Sequence, residues 1–210
     1  SFDGNAPRTQ VFFERKRNYL AGTMTIKATI MEYLSDFVAL IYPKLCVACG
    51  ESLYKAEEVI CTVCRYQLPK TNFHTESDNL VSRIFWGRTD IASATAFYYF
   101  QKESKVQQLV HALKYCHRTE VGSTIGEWLG MALAESPLYA GIGAIIPVPL
   151  HPRRLRTRGY NQSDFIAAGI AKAIKAPVIN KAIIRSSYTS TQTKLGKFNR
   201  WENVKEIFQL

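Results

Sequence analysis

Four cysteines form the pattern in this chain that is best suited to hold a metal ion. Cys46 and Cys49 make one C-x2-C pair, and Cys61 and Cys64 make a second pair after eleven intervening residues. Two close pairs can place four thiolates at the corners of a tetrahedron, which is the geometry of closed structural zinc sites. Gly50, directly after the first pair, allows the tight turn that such a site needs. The sequence therefore predicts a structural Zn²⁺ that leaves no position for a reactive water.

The alternatives to zinc are two disulfides, four free thiols or an iron–sulfur cluster. Disulfides fit poorly, because the sequence shows no export signal with a basic start, an apolar middle and a small-residue end. It also contains no run of about 18 uncharged apolar residues, so we expect no membrane span and a cytoplasmic location. The fifth cysteine, Cys116, has no partner at ligand spacing, and we interpret it as an ordinary thiol.

A dense group of arginines follows an apolar, strand-like run in "AIIPVPLHPRRLRTRGYNQSDF". We expect a loop here, because prolines and Gly159 enclose the arginines. Guanidinium groups and the amides at a following helix start suit phosphate oxygens, and Asn161 and Gln162 would add amide donors. The alternatives are a solvated loop with Asn161 capping the helix, and a nucleic-acid groove in which Tyr160 offers a stacking ring. The arginines are Arg153, Arg154, Arg156 and Arg158.

The positive charge of the chain is concentrated in its last 60 residues. Residues 1–150 carry 15 Lys and Arg against 14 Asp and Glu, whereas residues 151–210 carry 12 against 3. Such an asymmetry favours an anionic partner that docks on one part of the molecule, since charge that serves only solubility can be spread over the whole surface.

Hydrophobic periodicity predicts an α/β fold that would position these groups. Apolar residues recur at helical spacing in four segments, and three other segments have the composition of buried strands. Their alternation predicts a parallel sheet, at whose carboxyl edge a loop can bind a ligand. The helices are expected over 30–41, 105–115, 122–136 and 162–174, and the strands over 91–100, 143–150 and 176–185.

Four stretches together resemble the ComF family of phosphoribosyltransferase-like proteins. "YPKLCVACG…CTVCRYQLP" is similar to the family's four-cysteine module, and "VQQLVHALKYCHRTEVGSTIGEWLG" is similar to its helix pair. "IIPVPLHPRRLRTRGYNQSDFIAAGIA" resembles the family signature, and "RSSYTSTQTKLGKFNRWENVKEIF" resembles its C-terminal run. That run corresponds here to Arg185, Thr189, Gln192, Leu195, Arg200, Asn203 and Phe208.

The resemblance implies a site for phosphoribosyl diphosphate or pyrophosphate, with Mg²⁺ bound alongside the phosphates. It also implies a link to DNA uptake in competent bacteria. The domain layout would be a poorly ordered lead-in over 1–29, a helix and zinc module over 30–75, and a phosphoribosyltransferase-like domain over 85–210. The rival hypothesis is a non-catalytic zinc-containing adaptor that binds single-stranded DNA or a competence helicase. The implied phosphate-site residues are Pro147, Val148, Pro149, Arg158, Gly159, Asn161, Gln162, Arg185, Thr189, Gln192, Arg200 and Asn203.

One element of type I phosphoribosyltransferases is missing from this sequence. Those enzymes carry an acidic pair and a small-residue turn resembling D-D-x-x-T-T-G, which hold the ribose hydroxyls and the 5′-phosphate. This chain has no Asp-Asp pair, and its only adjacent acids, Glu57 and Glu58, lie within the cysteine module. We therefore expect a C-terminally truncated, incomplete phosphoribosyltransferase-like domain with negligible transfer activity.

Overall fold

The computed structural model describes residues 36–39, 41–186 and 207–209. The chain divides into two compact units, Ser1–Leu45 and Cys46–Leu210. Within the first unit, residues 36–39 and 41 are helical, and the Tyr42 N–H donates to the Val38 carbonyl at 2.8 Å. This agrees with the end of the helix predicted over 30–41, whose beginning lies outside the described residues.

Helices dominate the described part of the second unit. Two short strands pair antiparallel, with Ile184 opposite Gln209 and Arg185 opposite Phe208. None of the described helices is both long and apolar enough to cross a membrane. The helices are α1 (Thr62–Gln67), α2 (Lys105–Tyr115), α3 (Thr119–Ala134), α4 (Pro152–Arg158) and α5 (Gln162–Ile174), the 3₁₀ turns are Phe73–Thr75, Ser82–Ile84 and Pro137–Tyr139, and the strands are β1 (Ile184–Arg185) and β2 (Phe208–Gln209).

The cysteine segment and helix α2 share one hydrophobic core. Helix α2 begins after Ser104, whose hydroxyl accepts from the Gln107 N–H at 3.3 Å. Its apolar face, which was predicted from the spacing, is buried, and Leu109 is only 1% exposed. The cysteine segment therefore packs against the helical body, although it lies about 40 residues away in sequence. The shared core consists of Cys46, Ala48, Val59, Ile60, Cys61, Cys64, Leu68, Val106, Leu109, Leu113 and Val121.

Helices α3 and α5 cross with their backbones in contact. A Cβ atom added at Gly126 would collide with the Ile166 carbonyl oxygen, and one added at Gly169 would collide with the Ser123 carbonyl oxygen. The sequence predicts Ile125, Trp128, Leu129, Ala132 and Leu133 as the inward face of α3. Of these only Leu133 is buried, and the remaining buried positions are Val121, Gly122, Gly126 and Gly130. Ile125 and Trp128 nevertheless pack against the core while partly buried, so the prediction is confirmed in part. It missed the glycines, which gain burial by close backbone approach.

The three predicted strand segments contain isolated bridges, and only Ile184–Arg185 within them forms a described strand, so the predicted parallel sheet is not shown. Residues 91–100 contribute one antiparallel bridge, between Lys70 and Tyr98. Residues 143–150 and 176–185 share one parallel bridge, in which the Ile145 N–H and carbonyl bond to Pro177 and Ile179, both at 2.9 Å. Pro147 follows two residues later on the same edge and has no N–H to continue the ladder.

The arginine segment forms helix α4, so the predicted loop is wrong. The His151 ring Nδ1 accepts from the Arg153 N–H at 3.2 Å, and Pro152 occupies the first turn. Gly159 ends the helix with a φ of 81°, and its N–H donates to the Leu155 carbonyl at 2.7 Å. Proline at the start and glycine just after the end are the ordinary signals of a helix, and here they enclose a single short one.

Candidate metal centre and basic groove

Two backbone turns bring the four cysteines together. After Cys46 the chain turns back so that the Gly50 N–H donates to the Cys46 carbonyl at 2.8 Å, and Gly50 takes a φ of 80°. Cys61 caps α1, and its sulfur accepts from the Cys64 N–H at 3.4 Å. The Val47 N–H donates to the Val59 carbonyl at 3.0 Å and so joins the two turns. The C-x2-C spacings thus produce two facing knuckles.

The four Sγ atoms lie at distances that suit a tetrahedral metal. They are all within 4.8 Å of one another, and the Cys49 and Cys61 sulfurs are 3.8 Å apart. A tetrahedron with Zn–S bonds of about 2.3 Å has S···S edges of about 3.8 Å. All five cysteines are free thiols, so the disulfide alternative is not realised in the structure. The cluster can therefore hold a metal ion, as the sequence predicts.

The surroundings of the cluster make its thiols unequal. Burial raises the pKa of the Cys46 thiol, but N–H donors from Cys61, Ala48 and Cys49 outweigh burial and bring that pKa to about 7. At Cys64 burial again raises the pKa, and the neighbouring thiols of Cys49 and Cys61 bring it to about 12. The Cys46 thiolate thus forms readily, whereas repulsion between negative charges disfavours the formation of further thiolates in the cluster. A divalent cation would remove that repulsion, so metal binding would release protons.

A basic groove of about 510 Å³ lies beside α4 and the end of α2. Residues 153, 154, 157 and 158 fall on one face of α4, whereas Arg156 points away from that face because of the 100° turn per residue. Among the described residues, no carboxylate lines the groove. It is lined by Lys114, Tyr115, His117, Arg153, Arg154, Thr157 and Arg158, which we call the basic groove.

Arg158 is held in place from two sides. Its Nη1 donates to the Gln162 Oε1 at 2.6 Å, and its Cζ lies 5.5 Å from the centroid of the Tyr115 ring. The Tyr160 hydroxyl donates to the Leu113 carbonyl, which fastens the corner between α4 and α5 to the end of α2. The groove is therefore built on ordered elements.

Asn161 acts mainly within the protein. Its Oδ1 accepts from the Ser163 N–H at 3.4 Å, and its Nδ2 donates to the Val148 carbonyl at 3.1 Å and to the Asp164 Oδ1 at 2.7 Å. The capping role that the sequence offered as an alternative is thus present. These bonds also tie the segment Pro147–Pro149 to the start of α5, close to the turn at Gly159.

Two further predicted phosphate-site residues, Gln162 and Arg185, lie within the described part of the chain. The Gln162 Nε2 is buried and has no hydrogen-bond partner among the described residues. Burial lowers the pKa of Arg185, and the charge of Arg154 lowers it further, so these two guanidinium groups are neighbours. The predicted residues that lie outside the described part of the chain are Thr189, Gln192, Arg200 and Asn203.

Sequence reasoning missed the part of the groove contributed by α2 and the turn after it. Lys114, Tyr115 and His117 lie about 40 residues before α4, so nothing in their spacing points to the arginines. The φ of 55° at His117, which is uncommon for a residue other than glycine, is visible only in the structure, so no local signal in the sequence marks this side of the groove.

The chain is similar to curated proteins whose names refer to DNA use and competence. The DNA utilization protein YhgH of Shigella flexneri is 27% identical over 187 residues, covering 81% of this chain and 79% of that protein. The protein of the same name from Escherichia coli (strain K12) is 26% identical with the same coverage. Competence protein F of Haemophilus influenzae is 30% identical over 105 residues, covering 49% of this chain and 46% of that protein. No family model and no solved structure matches the chain.

Proposed function

The relatives confirm the resemblance to the ComF family, and on that premise we propose that this chain binds a small polyphosphate in its basic groove. Phosphoribosyl diphosphate and pyrophosphate are the ligands that the resemblance implies. We further propose that the binding serves DNA uptake or use, which is the subject of the relatives' names, and that it takes place in the cytoplasm.

The observation that carries this proposal is the concentration of like charge in the groove. Lys114 comes from α2, and three arginines come from one face of α4. Like charges gathered in a groove repel one another, and a ligand with several negative charges removes that repulsion. Arginine forks also match the geometry of phosphate oxygens. The volume of about 510 Å³ lies within the range of small-molecule sites.

We propose Zn²⁺ as the ion of the four-cysteine cluster, with a structural role. Four thiolates fill a tetrahedral shell, so the ion would stabilise the core that the cysteines share with α2. The groove, by contrast, offers no carboxylate among its described lining residues, so the residues present do not fit a Mg²⁺ site of their own.

We propose a phosphoribosyltransferase-like architecture in which the parallel bridge at Ile145 and Val178 belongs to the central sheet. The function we assign to the basic groove is the binding of phosphates, which its four cations can hold.

A second candidate function is binding of single-stranded DNA along the same groove. Tyr115 favours it, because the ring lines the groove and is 64% exposed. Exposed aromatic rings beside cations are the usual platform for stacked bases. The two candidates differ in salt dependence, since a strand that contacts many cations loses affinity steeply as salt rises.

The experiment is an NMR titration of the ¹⁵N-labelled chain with pyrophosphate, following the amides of residues 159–162. We expect a dissociation constant in the upper micromolar to millimolar range, because each exposed charge-assisted contact contributes roughly 1 kcal/mol. Arg158→Ala should weaken binding about three- to tenfold. Arg156→Ala removes the same charge from the other face of α4 and is the matched control.

The outcome that contradicts the proposal is equally specific. If the amides of 159–162 shift with a short single-stranded DNA but not with pyrophosphate, the groove is a nucleic-acid surface. If Arg156→Ala and Arg158→Ala weaken pyrophosphate binding equally, the ligand responds to net charge and does not occupy the groove.

A further inference from the structure

A second pocket, of about 370 Å³, lies between α1 and α3 and shares no lining residue with the basic groove. Helix α1 is capped by Cys61 and contains Cys64, so one wall of this pocket belongs to the cysteine segment. The lining residues are Arg65, Lys70, Asn72, His74, Phe97, Trp128, Met131, Ala132 and Glu135, which we call the aromatic pocket.

One side of the aromatic pocket is flat and apolar. Trp128 and Phe97 are half-buried, and the Arg65 guanidinium carbon lies 4.7 Å from the centroid of the Trp128 ring. Guanidinium planes and aromatic rings are the surfaces on which nucleobases stack. The Arg65 guanidinium, which lies over Trp128, thus offers one stacking surface to a planar aromatic ligand, and the Phe97 ring offers another.

The opposite side is polar and rigidly built. The Thr71 N–H donates to the Phe97 carbonyl at 3.1 Å, and the buried Ser136 hydroxyl donates to the His74 carbonyl. Asn72 has a φ of 57°, a left-handed conformation that asparagine adopts more readily than most residues. The segment 70–74 is therefore fixed by bonds at both ends.

The polar lining residues are of the kinds that bind the parts of a nucleotide. Lys70 and His74 can face a phosphate, since both can donate hydrogen bonds and Lys70 carries a positive charge. The amide of Asn72 offers a donor and an acceptor to a base edge, and Glu135 can accept from an exocyclic amine. A pocket that served only inorganic phosphate would need neither the aromatic wall nor the carboxylate.

We infer that the aromatic pocket binds one nucleotide with an amino-bearing base, with the base against the stacked Arg65–Trp128 pair and Phe97 and the phosphate toward Lys70 and His74. The nucleotide is either free or part of a nucleic-acid strand. Arg65 follows Cys64 directly, so the order of the metal centre controls the position of one ligand-binding side chain. This inference stands independently of the polyphosphate site.

The test is a titration of the full chain with AMP, followed through the indole N–H resonance of Trp128. We expect saturation, with AMP binding at least tenfold more tightly than adenosine or inorganic phosphate. Arg65→Gln should weaken AMP binding about tenfold. Arg65 is exposed, so the variant should fold, and Trp128→Phe tests the stacking surface with a smaller ring.

The chain supplies a matched control in a second arginine–tryptophan pair. The Arg83 guanidinium carbon lies 5.9 Å from the Trp86 ring centroid, and neither residue lines the aromatic pocket. Arg83→Gln removes the same charge and should leave AMP binding as in the wild type. A short oligonucleotide that binds more tightly than AMP, with the same dependence on Arg65, would assign the nucleotide to a strand and support the inference.

Three results would overturn it. One is equal affinity for AMP and inorganic phosphate, which would reduce the pocket to an anion site. The second is an unmoved Trp128 resonance at millimolar AMP, and the third is an equal loss of AMP affinity from Arg65→Gln and Arg83→Gln. Failure here leaves the pyrophosphate titration at residues 159–162 unaffected, so the two proposals fail separately.

Discussion

Replacing Gly126 with alanine is a direct test of how α3 and α5 are packed. The added methyl carbon would meet the Ile166 carbonyl oxygen and would lie 3.1 Å from the Ile166 Cα. Both are backbone atoms, so they cannot rotate away as a side chain could. The two helices would have to move apart by roughly 1 Å along their contact.

The expected loss of stability follows from two opposing effects. Overpacking a close contact costs about 1–3 kcal/mol, and a collision with backbone places Gly126→Ala near the upper end. Alanine in a helix interior recovers about 1 kcal/mol over glycine. The free energy of unfolding should therefore fall by about 2 kcal/mol, which lowers the melting temperature by roughly 4–8 °C in a chain of this size.

The assay is thermal unfolding followed by circular dichroism, with Gly143→Ala as the control. Gly143 is exposed, and a Cβ atom there would meet nothing within 4 Å. We expect its melting temperature to stay within about 2 °C of the wild type. A Gly126→Ala protein as stable as the wild type would refute the close approach of α3 and α5.

Three further predictions concern the metal centre and the core. Elemental analysis should find one Zn²⁺ per chain, and well under one would contradict the cluster as a zinc site. Lowering the pH from 8 to 5 should release that ion, because the thiolates must take up protons to let it go; retention of the metal at pH 5 would argue against thiolate ligation. Tyr98→Phe should raise the free energy of unfolding by about 1 kcal/mol, since the Tyr98 hydroxyl is buried without a hydrogen-bond partner among the described residues. Burial raises the Tyr98 pKa to about 12, so the tyrosine ionises first in the unfolded chain. The wild type should therefore lose stability as the pH rises from 10 towards 12. Urea titrations should show that Tyr98→Phe lacks this part of the loss.

Local signals in the sequence predict local structure well in this chain. The C-x2-C spacing predicts the cysteine cluster because each pair closes its own turn, and the structure places all four sulfurs together. Helices α2 and α5 were predicted from apolar periodicity, and their caps at Ser104 and Asn161 could be read directly. Helix α4 was missed because the arginines between its proline and glycine were interpreted as a binding loop.

What the sequence could not predict depends on which distant elements meet. The burial of Gly126 follows from the approach of α5, which no property of the α3 sequence determines. In the basic groove, Lys114 faces arginines that lie about 40 residues further along the chain. Both features arise from long-range packing, where residue type constrains contacts only weakly.

Loss of the metal should affect more than the two cysteine turns, because the cysteines belong to the core that they share with the helices. Cys46 and Cys64 are buried in the same cluster as Leu109 of α2 and Val121 of α3. The cysteine segment lies apart in sequence, which suggests that Cys46→Ser would unfold only that segment. The shared core predicts a wider effect, because unfolding the cysteine segment would expose apolar surface on α2 and α3. We therefore expect chelation of the metal to loosen the end of α2, where Lys114 and Tyr115 border the basic groove, and so to weaken pyrophosphate binding at a distance from the cysteines. A chelated chain that binds pyrophosphate as tightly as the zinc-loaded chain would show that the two sites are independent.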